Sequence, residues 1–384
     1  MKLALAFDSF KGSLTSQEVA DAFSEGVKSV MPDCEFLKFD ISDGGEGMLK
    51  SFQAKSGYEY VECPAHDPLM RPITARYLFN KRERSATIEM AEACGLTLLK
   101  VGERNPLKTT TFGLGEIILD GYRRGARKFV IGIGGSATND AGMGMLQALG
   151  VRLYDSDHNE IVLANGESLT KIDSIDFSNI KIELNDCHFE VACDVDNHLY
   201  GESGAAYIFA PQKGADREVV EQLDEGLRTI CSVAKHLLGV DYSNEKGAGA
   251  AGGVGWAFLT FLNGRLCSGI ELIIKEINLE KEVIGCDYIF TGEGRIDIQT
   301  LHGKAPMGIL EVGRKLSIPV IAIGGRVELT IEEIAQSGFE AIYEVTPRNV
   351  PLSKALSKER AKEYVKRCGA KLLEGEGKIE EGVL

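Results

Sequence analysis

The chain has 384 residues, a net charge of −14 at pH 7 and 44 glycines. This length predicts two domains or more, and the acidic balance argues against a nucleic-acid partner or an anionic membrane surface. Because its apolar runs are shorter than a membrane span and its N-terminal run is too short for a signal peptide, we expect a cytoplasmic protein.

The predicted elements begin with strands and helices in alternation and then change character. Alternation is typical of a parallel sheet. It covers strands at 2–7 and 35–41 and helices at 16–30 and 47–55. Closely spaced strands follow, which favour antiparallel pairing, at 58–63, 73–79 and 86–90. The rest of the middle region is predicted to contain strands at 129–133, 151–154 and 190–193, helices at 111–123, 143–149, 216–238 and 248–262, and an irregular segment at 156–186.

Alternation of strands and helices returns near the C-terminus. The predicted strands are 288–290, 319–323 and 340–345, and the predicted helices are 305–316, 331–337 and 354–373. Two N-terminal strands alone would bury little core. We therefore predict an α/β protein in which residues 1–60 and 265–384 together form one doubly wound domain, with an inserted mixed α/β domain at 61–264.

One segment joins a predicted strand to a predicted helix through glycines and short polar side chains. This glycine-rich loop, residues 132–144, reads Gly-Ile-Gly-Gly-Ser-Ala-Thr-Asn-Asp-Ala-Gly-Met-Gly. Glycine lets a ligand approach the backbone, and N–H groups at a helix start suit a phosphate or carboxylate. The alternative is a plain turn capped by Asp140.

Three other polar loops follow predicted strands of the split domain. Residues 8–13 read Asp-Ser-Phe-Lys-Gly-Ser, residues 43–47 read Asp-Gly-Gly-Glu-Gly, and residues 291–297 read Thr-Gly-Glu-Gly-Arg-Ile-Asp. Ligands of open parallel sheets bind outside the carboxyl ends of the strands, so these loops are expected to line a site. The alternatives are helix caps at Ser13 or Thr15 and a capping-box pattern of Asp43 with Glu46.

The predicted insert offers two further charged groups. Asp194 and Asp196 follow a predicted strand and would face opposite ways on an extended backbone, and Asp194 is the better metal or base candidate. Lys213 precedes a predicted helix and either contacts an anion or ends a turn.

Known catalytic motifs are absent, with one partial match. The chain has no Gly-x-Ser-x-Gly elbow, no P-loop and no His-Glu-x-x-His zinc motif. The glycine-rich loop approximates a dinucleotide fingerprint, with Ala137 in place of the third glycine and Asp155 or Asp157 near the expected acid position. A nucleotide-dependent dehydrogenase of a small hydroxy acid is therefore an alternative function, and a non-catalytic anion-binding protein is another.

Taken together, these loops resemble the bacterial glycerate kinases of type I. The segments 192–197, 211–215 and 247–253 look like that family as well, and the similarity spans nearly the whole chain in the expected order. The departures are small: Phe7, Ser42 and His198 stand where the family commonly has Pro, Ala and Pro. The resemblance implies a flavodoxin-like domain and a second α/β domain with a restriction-endonuclease-like core. It also implies that ATP phosphorylates D-glycerate with Mg²⁺.

The resemblance, together with the charges of the loops, leads to a set of expected site residues. Those expected in catalysis are Asp194, Asp297, Lys11 and Arg295. Those expected to bind glycerate or nucleotide are Ser9, Gly44, Gly45, Gly134, Gly135, Ser136, Thr138, Asn139, Glu293 and Lys304. Those expected to hold the metal are Asp43, Glu46 and Asp140.

The expected roles follow from kinase chemistry. The lysines and the arginine would offset charge on the glycerate carboxylate and the ATP phosphates, and Asp194 or Asp297 would accept the proton of the acceptor hydroxyl. The substrates are expected in a cleft between the domains, and the resemblance favours 2-phosphoglycerate over 3-phosphoglycerate. Which loop binds which substrate, and whether the chain forms a homo-oligomer, stay open.

Overall fold

The computed structural model describes residues 1–41, 48–53 and 57–372. The chain divides into two compact units. The first unit is Met1–Asp43 with Ile273–Leu384, and the second unit is Gly44–Leu272. Among the described residues, no helix combines the length and the apolar character needed to cross a bilayer.

Strands and helices alternate through most of the described chain. The strands are β1 (Lys2–Phe7), β2 (Glu35–Asp40), β3 (Glu59–His66), β4 (Pro72–Asn80), β5 (Ser85–Glu89), β6 (Lys128–Gly132), β7 (Arg152–Tyr154), β8 (Ser174–Asp176), β9 (His188–Ala192), β10 (Arg265–Cys267), β11 (Tyr288–Ile296), β12 (Val320–Val327) and β13 (Ala341–Glu344). The helices are α1 (Ser16–Val30), α2 (Met48–Gln53), α3 (Ala91–Cys94), α4 (Phe112–Arg123), α5 (Met143–Ala148), α6 (Ala205–Phe209), α7 (Arg217–Leu238), α8 (Ala250–Phe261), α9 (Gly269–Glu276), α10 (Leu279–Glu282), α11 (Ile298–Leu301), α12 (Ala305–Leu316), α13 (Ile331–Ser337), α14 (Leu352–Ala355) and α15 (Lys358–Lys371).

The first unit is built on a five-stranded sheet in the order β2-β1-β11-β12-β13. All of its strand pairs are parallel. Numbered within this sheet alone, the order is 2-1-3-4-5, which is the flavodoxin-like doubly wound order. The prediction of an α/β fold with a parallel sheet built from both chain ends is therefore confirmed.

The core of this unit lies where α1 and α15 cover one face of the sheet. Phe23 of α1 packs with tilted rings against Phe7 of β1 and Phe290 of β11, at 5.5 and 4.7 Å between ring centres. Helix α1 begins with a capping box, in which the Thr15 hydroxyl accepts from the Glu18 N–H and the Glu18 carboxylate accepts from the Thr15 N–H. The alternative role of Thr15 as a helix cap is thus confirmed.

The second unit contains a six-stranded sheet in the order β10-β9-β6-β5-β4-β3. Strands β3, β4 and β5 pair antiparallel, as predicted, whereas β5, β6, β9 and β10 pair parallel. Gly132 at the end of β6 lies opposite Ala192 at the end of β9. The glycine-rich loop and Asp194 therefore follow neighbouring strand ends at one edge of the sheet.

Some elements differ from the prediction. Strand β11 runs to Ile296 although residues 291–297 were predicted as a loop, and it stays paired with β12 as far as Ile296, which lies opposite Val327. Glycine at 292 allows this pairing, because a Cβ at that position would lie 1.9 Å from the carbonyl oxygen of Ile323. The segment predicted to be irregular contains β8, and the last predicted helix is divided into α14 and α15.

Candidate active site

A cavity of about 420 Å³ lies in the first unit, near the carboxyl ends of β1, β11 and β12. We call it the charged cavity. Five of the residues predicted for the site line it: Ser9, Lys11, Glu293, Arg295 and Lys304. Its position agrees with the rule for doubly wound sheets, because β1 and β11 flank the point at which the strand order reverses.

Glycines allow the loops of the charged cavity to pack against one another. The Asp8 N–H donates to the carbonyl oxygen of Gly292 over 2.9 Å. A Cβ on Gly294 would lie 3.2 Å from the backbone nitrogen of Lys11, and a Cβ on Gly325 would lie 2.5 Å from the carbonyl oxygen of Gly294. The glycines of these predicted ligand loops thus serve close contact between backbones.

The charged side chains at the cavity form a network of loose ion pairs. Lys304 Nζ lies 3.7 Å from both Glu293 Oε2 and Asp297 Oδ1. Arg295 Nε lies 3.3 Å from Asp297 Oδ2, and Arg295 Nη1 lies 3.9 Å from Glu328 Oε2. Most of these distances exceed a hydrogen bond, so the cations can turn toward an anionic ligand without losing a tight partner.

Glu293 is the buried carboxyl group of the network. Its side chain is 12% exposed, and its Oε1 accepts a 2.7 Å hydrogen bond from the Thr300 hydroxyl. Burial raises the pKa of Glu293, while the Thr300 hydrogen bond and the charge of Lys304 oppose the rise. A carboxyl group in this environment is suited to proton transfer nearer neutral pH than an exposed glutamate.

Asp297 has two roles at once. Its Oδ1 accepts from the backbone N–H groups of Gln299 and Thr300 over 3.0 and 3.2 Å, which caps α11. The same carboxylate is paired with Arg295 and Lys304. Because the cap fixes its orientation, Asp297 presents a carboxylate held in place by backbone groups.

Arg326 is a cavity residue that the sequence analysis missed. Its guanidinium donates to Glu344 Oε1 over 2.9 Å and to the carbonyl oxygen of Val350 over 2.7 Å. It therefore holds the chain that follows β13 against the cavity. The signal for it was present, since residues 324–326 read Gly-Gly-Arg directly after a predicted strand, in the same position as the other loops.

The glycine-rich loop of the second unit combines exposed backbone with buried side chains. Gly134 and Gly135 are exposed, whereas Ser136, Thr138 and Asn139 are buried. The Thr138 hydroxyl and both polar atoms of the Asn139 amide have no hydrogen-bond partner. Buried polar groups are normally satisfied, so these atoms are available to a ligand or a water molecule.

Asp140 is a fully buried acceptor within this loop. Its Oδ2 accepts from the Thr111 N–H and hydroxyl, each at 2.7 Å, and from the Gly144 N–H at 3.2 Å, and its Oδ1 accepts from the Gly142 N–H at 3.1 Å. Burial raises its pKa, and the hydrogen bonds from Thr111 oppose that rise. These contacts agree with the alternative in which Asp140 caps a turn. The role of Asp140 as a metal ligand stays a prediction.

Two more polar groups of the second unit belong to this edge of the sheet. Lys213 is 2% exposed, and its Nζ donates to Ser136 Oγ over 2.9 Å and to the carbonyl oxygen of Thr138 over 2.7 Å. Asp194 is exposed, and its Oδ1 accepts from the Gly269 N–H over 3.0 Å. From its sequence context, Lys213 was a possible anion contact and was not among the expected site residues.

Four predicted residues, Asp43, Gly44, Gly45 and Glu46, lie outside the described residues. Within residues 1–41, 48–53 and 57–372, no group of three or more His, Cys, Asp and Glu side chains is arranged to hold a metal ion. Mg²⁺ is commonly bound by one or two carboxylates together with substrate phosphates, so it does not require such a group.

The dinucleotide-binding alternative does not agree with the sheet topology. In that fold the acidic residue follows a second strand that lies in the same parallel sheet as the glycine loop. Asp155 instead follows β7, which pairs antiparallel with β8 in a separate two-stranded sheet. Its Oδ1 accepts from the N–H groups of Asp157 and Asn159 in its own turn.

Comparison with known proteins identifies the family. The family model described as "Glycerate kinase family" matches residues 3–374. The chain belongs to the glycerate kinase family. It is therefore a kinase, and a kinase of this family implies a nucleotide as phosphoryl donor.

Individual relatives agree with this assignment over nearly their full length. A glycerate kinase from Bacillus subtilis (strain 168) is 42% identical over 367 residues, covering 96% of this chain and 95% of the relative. A glycerate 2-kinase from Escherichia coli (strain K12) is 42% identical and covers 90% of each chain. A crystal structure from Salmonella typhimurium LT2, assigned to glycerate kinase 2, superposes with a TM-score of 0.84 at 40% identity and covers 96% of each chain.

Proposed function

We propose that this chain transfers the γ-phosphoryl group of ATP to D-glycerate and that the favoured product is 2-phosphoglycerate. The observation that carries the proposal is the charged cavity, in which Lys11, Arg295 and Lys304 stand near the buried Glu293 at a flavodoxin-like switch point. The relatives named glycerate kinase and glycerate 2-kinase support the choice of substrate and of the acceptor hydroxyl.

The cations of the cavity suit the charge of the substrates. Phosphoryl transfer requires that the phosphates be held in position and that the charge on the transferred group be offset. Lys11, Arg295 and Lys304 supply three positive groups around one cavity, and Arg295 keeps 61% of its side chain exposed. We propose that they bind the ATP phosphates or the glycerate carboxylate.

An aspartate is proposed to accept the proton of the acceptor hydroxyl. Asp297 is held by its cap hydrogen bonds beside Arg295 and Lys304, and Asp194 is exposed at the end of β9. Either carboxylate has the chemistry of a general base, which is the role of the catalytic aspartate in other kinases. We propose that one of the two has this role.

Magnesium is proposed as the cofactor. The carboxylate of Glu293, with Asp43 and Glu46 from the part of the chain outside the described residues, fits the oxygen ligands that Mg²⁺ takes together with phosphates. When bound, the ion would neutralise part of the charge on the β- and γ-phosphates.

The test measures ADP formation with ATP and Mg²⁺, with D-glycerate present, absent or replaced by L-glycerate. We expect ADP to form only with D-glycerate. Phosphorus NMR of the product then assigns the phosphorylated hydroxyl, and direct conversion by enolase checks for 2-phosphoglycerate. Glycerate-dependent reduction of NAD(P) without ADP formation would instead establish the dehydrogenase. The absence of both activities with D-glycerate would overturn the proposal.

The location of the substrates in a cleft between the two domains stays a prediction. Kinases of several folds close over their substrates, which excludes water from the phosphoryl transfer. Small-angle scattering with and without a non-hydrolysable ATP analogue and D-glycerate tests it. We expect a smaller radius of gyration with both ligands, and unchanged scattering would contradict closure.

A further inference from the structure

Lys213 stands out in the described chain because its ammonium group is buried. It ends a short 3₁₀ helix, Pro211–Lys213, and Gly214 follows with φ of +97°. A side chain at Gly214 would place its Cβ 2.3 Å from the carbonyl oxygen of Arg104. The turn after Lys213 is therefore packed tightly against the chain near Arg104.

The ammonium group joins two points of the glycine-rich loop. Lys213 Nζ donates to Ser136 Oγ and to the carbonyl oxygen of Thr138, so it links the Ser136 side chain to the Thr138 backbone across Ala137. Both acceptors are neutral. A lysine is almost never fully buried without a strong reason, because removing its charge from water is unfavourable. This burial at a loop with a ligand-binding pattern points to a function in that loop.

The charge state of Lys213 responds to its surroundings. Burial lowers its pKa to about 7, and the negative charge of Asp140 opposes the shift. Asp140 is the charged group that acts on it among the described residues, and Asp140 is itself occupied by Thr111, Gly142 and Gly144. An additional negative charge near the loop would therefore stabilise the protonated lysine.

The loop offers a place for such a charge. The backbone of Gly134 and Gly135 is exposed directly before Ser136, and Gly135 has φ of +70°. Beyond Ser136, the Thr138 hydroxyl and the Asn139 amide are buried and unpartnered. The loop thus combines exposed glycine backbone, unused polar groups and one buried cation.

We propose that Lys213 is a positioning residue for the phosphoryl-transfer reaction: it fixes the turn from Ser136 to Thr138 and supplies positive charge beside the exposed Gly134 and Gly135, where an anionic group of one substrate binds. The anionic group is a carboxylate if the substrate is glycerate and a phosphate if it is ATP. This inference rests on the proposed kinase function.

The test compares Lys213→Met and Lys213→Arg with the unchanged chain. Methionine keeps the length and apolar stem of lysine without its charge, and arginine keeps the charge. Lys235→Met is the matched control, because Lys235 lies in the same unit, is exposed and pairs only at the surface with Asp241 over 3.2 Å. The kcat and the KM for D-glycerate and for ATP are measured from pH 6 to pH 9, a range that spans the pKa of Lys213 of about 7.

We expect Lys213→Met to raise the KM of one substrate about 10-fold or more while kcat changes less, since the charge acts on binding. The KM of Lys213→Arg is expected to lie between that of Lys213→Met and that of the unchanged chain. Lys235→Met is expected to leave both KM values unchanged. In the unchanged chain the same KM is expected to rise with pH above about 7, where Lys213 loses its proton, and the rise is expected to be absent in Lys213→Met. The substrate affected identifies the anionic group.

Two results would overturn the inference. If both KM values of Lys213→Met lie within about 2-fold of those of the unchanged chain, the charge does not act on binding. A loss of kcat alone that is equal at every pH and is not restored by arginine would show a purely structural role. If the chain without substitutions forms no ADP in response to D-glycerate, the proposed function itself is refuted.

Ser136→Ala provides a second variant if Lys213→Met fails to fold. It keeps the lysine and removes one of its two acceptors, so the ammonium group is held only by the carbonyl oxygen of Thr138. We expect a smaller rise in the KM of one substrate, with thermal unfolding monitored by circular dichroism as the check on folding. Unchanged KM values in folded Ser136→Ala protein would contradict the positioning role.

Discussion

The charged cavity of the first unit and the glycine-rich loop of the second unit place charge near a candidate ligand site in opposite ways. In the cavity, Arg295 and Lys304 keep 61% and 36% of their side chains exposed and pair loosely with carboxylates. In the loop, Lys213 is 2% exposed and is held by neutral groups, while Asp140 is saturated with hydrogen bonds.

Because the charges are exposed in one region and buried in the other, we expect substitutions in the two regions to affect ligand binding and folding stability differently. Exposed charges lose little hydration on folding, so their removal is expected to weaken ligand binding and to leave stability nearly unchanged. Buried charged groups depend on their hydrogen bonds, and the removal of one partner leaves the others unsatisfied. Substitutions in the cavity should therefore change kinetics, and substitutions in the loop should change both kinetics and folding.

The largest expected effect comes from the aspartates that compete for the role of general base, one in each unit. We expect either Asp297→Asn or Asp194→Asn to lower kcat by about 10²-fold or more, because asparagine cannot accept the hydroxyl proton. Steady-state kinetics with saturating ATP and D-glycerate measure the effect. The variant with near-normal kcat then marks the unit that does not contribute the base.

Both substitutions keep the local hydrogen bonds. Asparagine caps helices about as well as aspartate, so Asp297→Asn should retain the bonds from Gln299 and Thr300, and Asp194→Asn can still accept from Gly269. Circular dichroism checks that both variants fold. Near-normal turnover in both would show that neither aspartate is the base.

Stability is the next test of the comparison. Asp140→Ala removes the acceptor of the Thr111, Gly142 and Gly144 donors, all of them buried. We expect it to lower the free energy of unfolding by about 3 kcal/mol, measured by urea denaturation. Asp157→Ala is the control on an exposed turn of the same unit, with an expected change below about 0.5 kcal/mol. Equal changes in the two variants would contradict the structural role of Asp140.

The sequence allowed the polar loops to be located, because each follows an apolar strand and contains glycine with charged residues. Alternation of strands and helices at both chain ends also predicted the parallel sheet. The contents of the charged cavity were largely predictable for this reason, since strand ends of a parallel sheet meet at one edge. Arg326 fits the same pattern, since its Gly-Gly-Arg segment directly follows the strand predicted at 319–323.

Burial was not predictable in the same way. Lysine is usually exposed, and nothing in the residues next to Lys213 indicates that Gly214 packs against Arg104 or that the ammonium group is buried. The extension of β11 was hidden for a related reason. Glycine usually signals a loop, whereas Gly292 is required here by the approach of a neighbouring strand, which is a property of the tertiary structure.

A smaller effect is expected from a single cation of the charged cavity. Lys304→Met should raise the KM for ATP or for D-glycerate about 10-fold, because one of several cations is lost and the others remain. Lys315→Met is the control, since Lys315 is exposed in α12, the helix that begins after Lys304, and pairs with Glu280. Unfolding of both variants should match the unchanged chain. A loss of stability in Lys304→Met as large as that of Asp140→Ala would remove the distinction between the two regions.

The smallest expected effect concerns the buried carboxyl group of the cavity and has a definite sign with pH. Burial raises the pKa of Glu293 in the folded chain, so ionisation favours unfolding, and its contribution to stability is lost as pH rises above the usual glutamate range through the raised pKa. Glutamine keeps an acceptor for the Thr300 hydroxyl and does not ionise. We expect Glu293→Gln to unfold at the same temperature as the unchanged chain at acidic pH and about 2 °C higher at pH 8, by differential scanning calorimetry. A difference that does not vary with pH would show that Glu293 is solvated like an exposed glutamate.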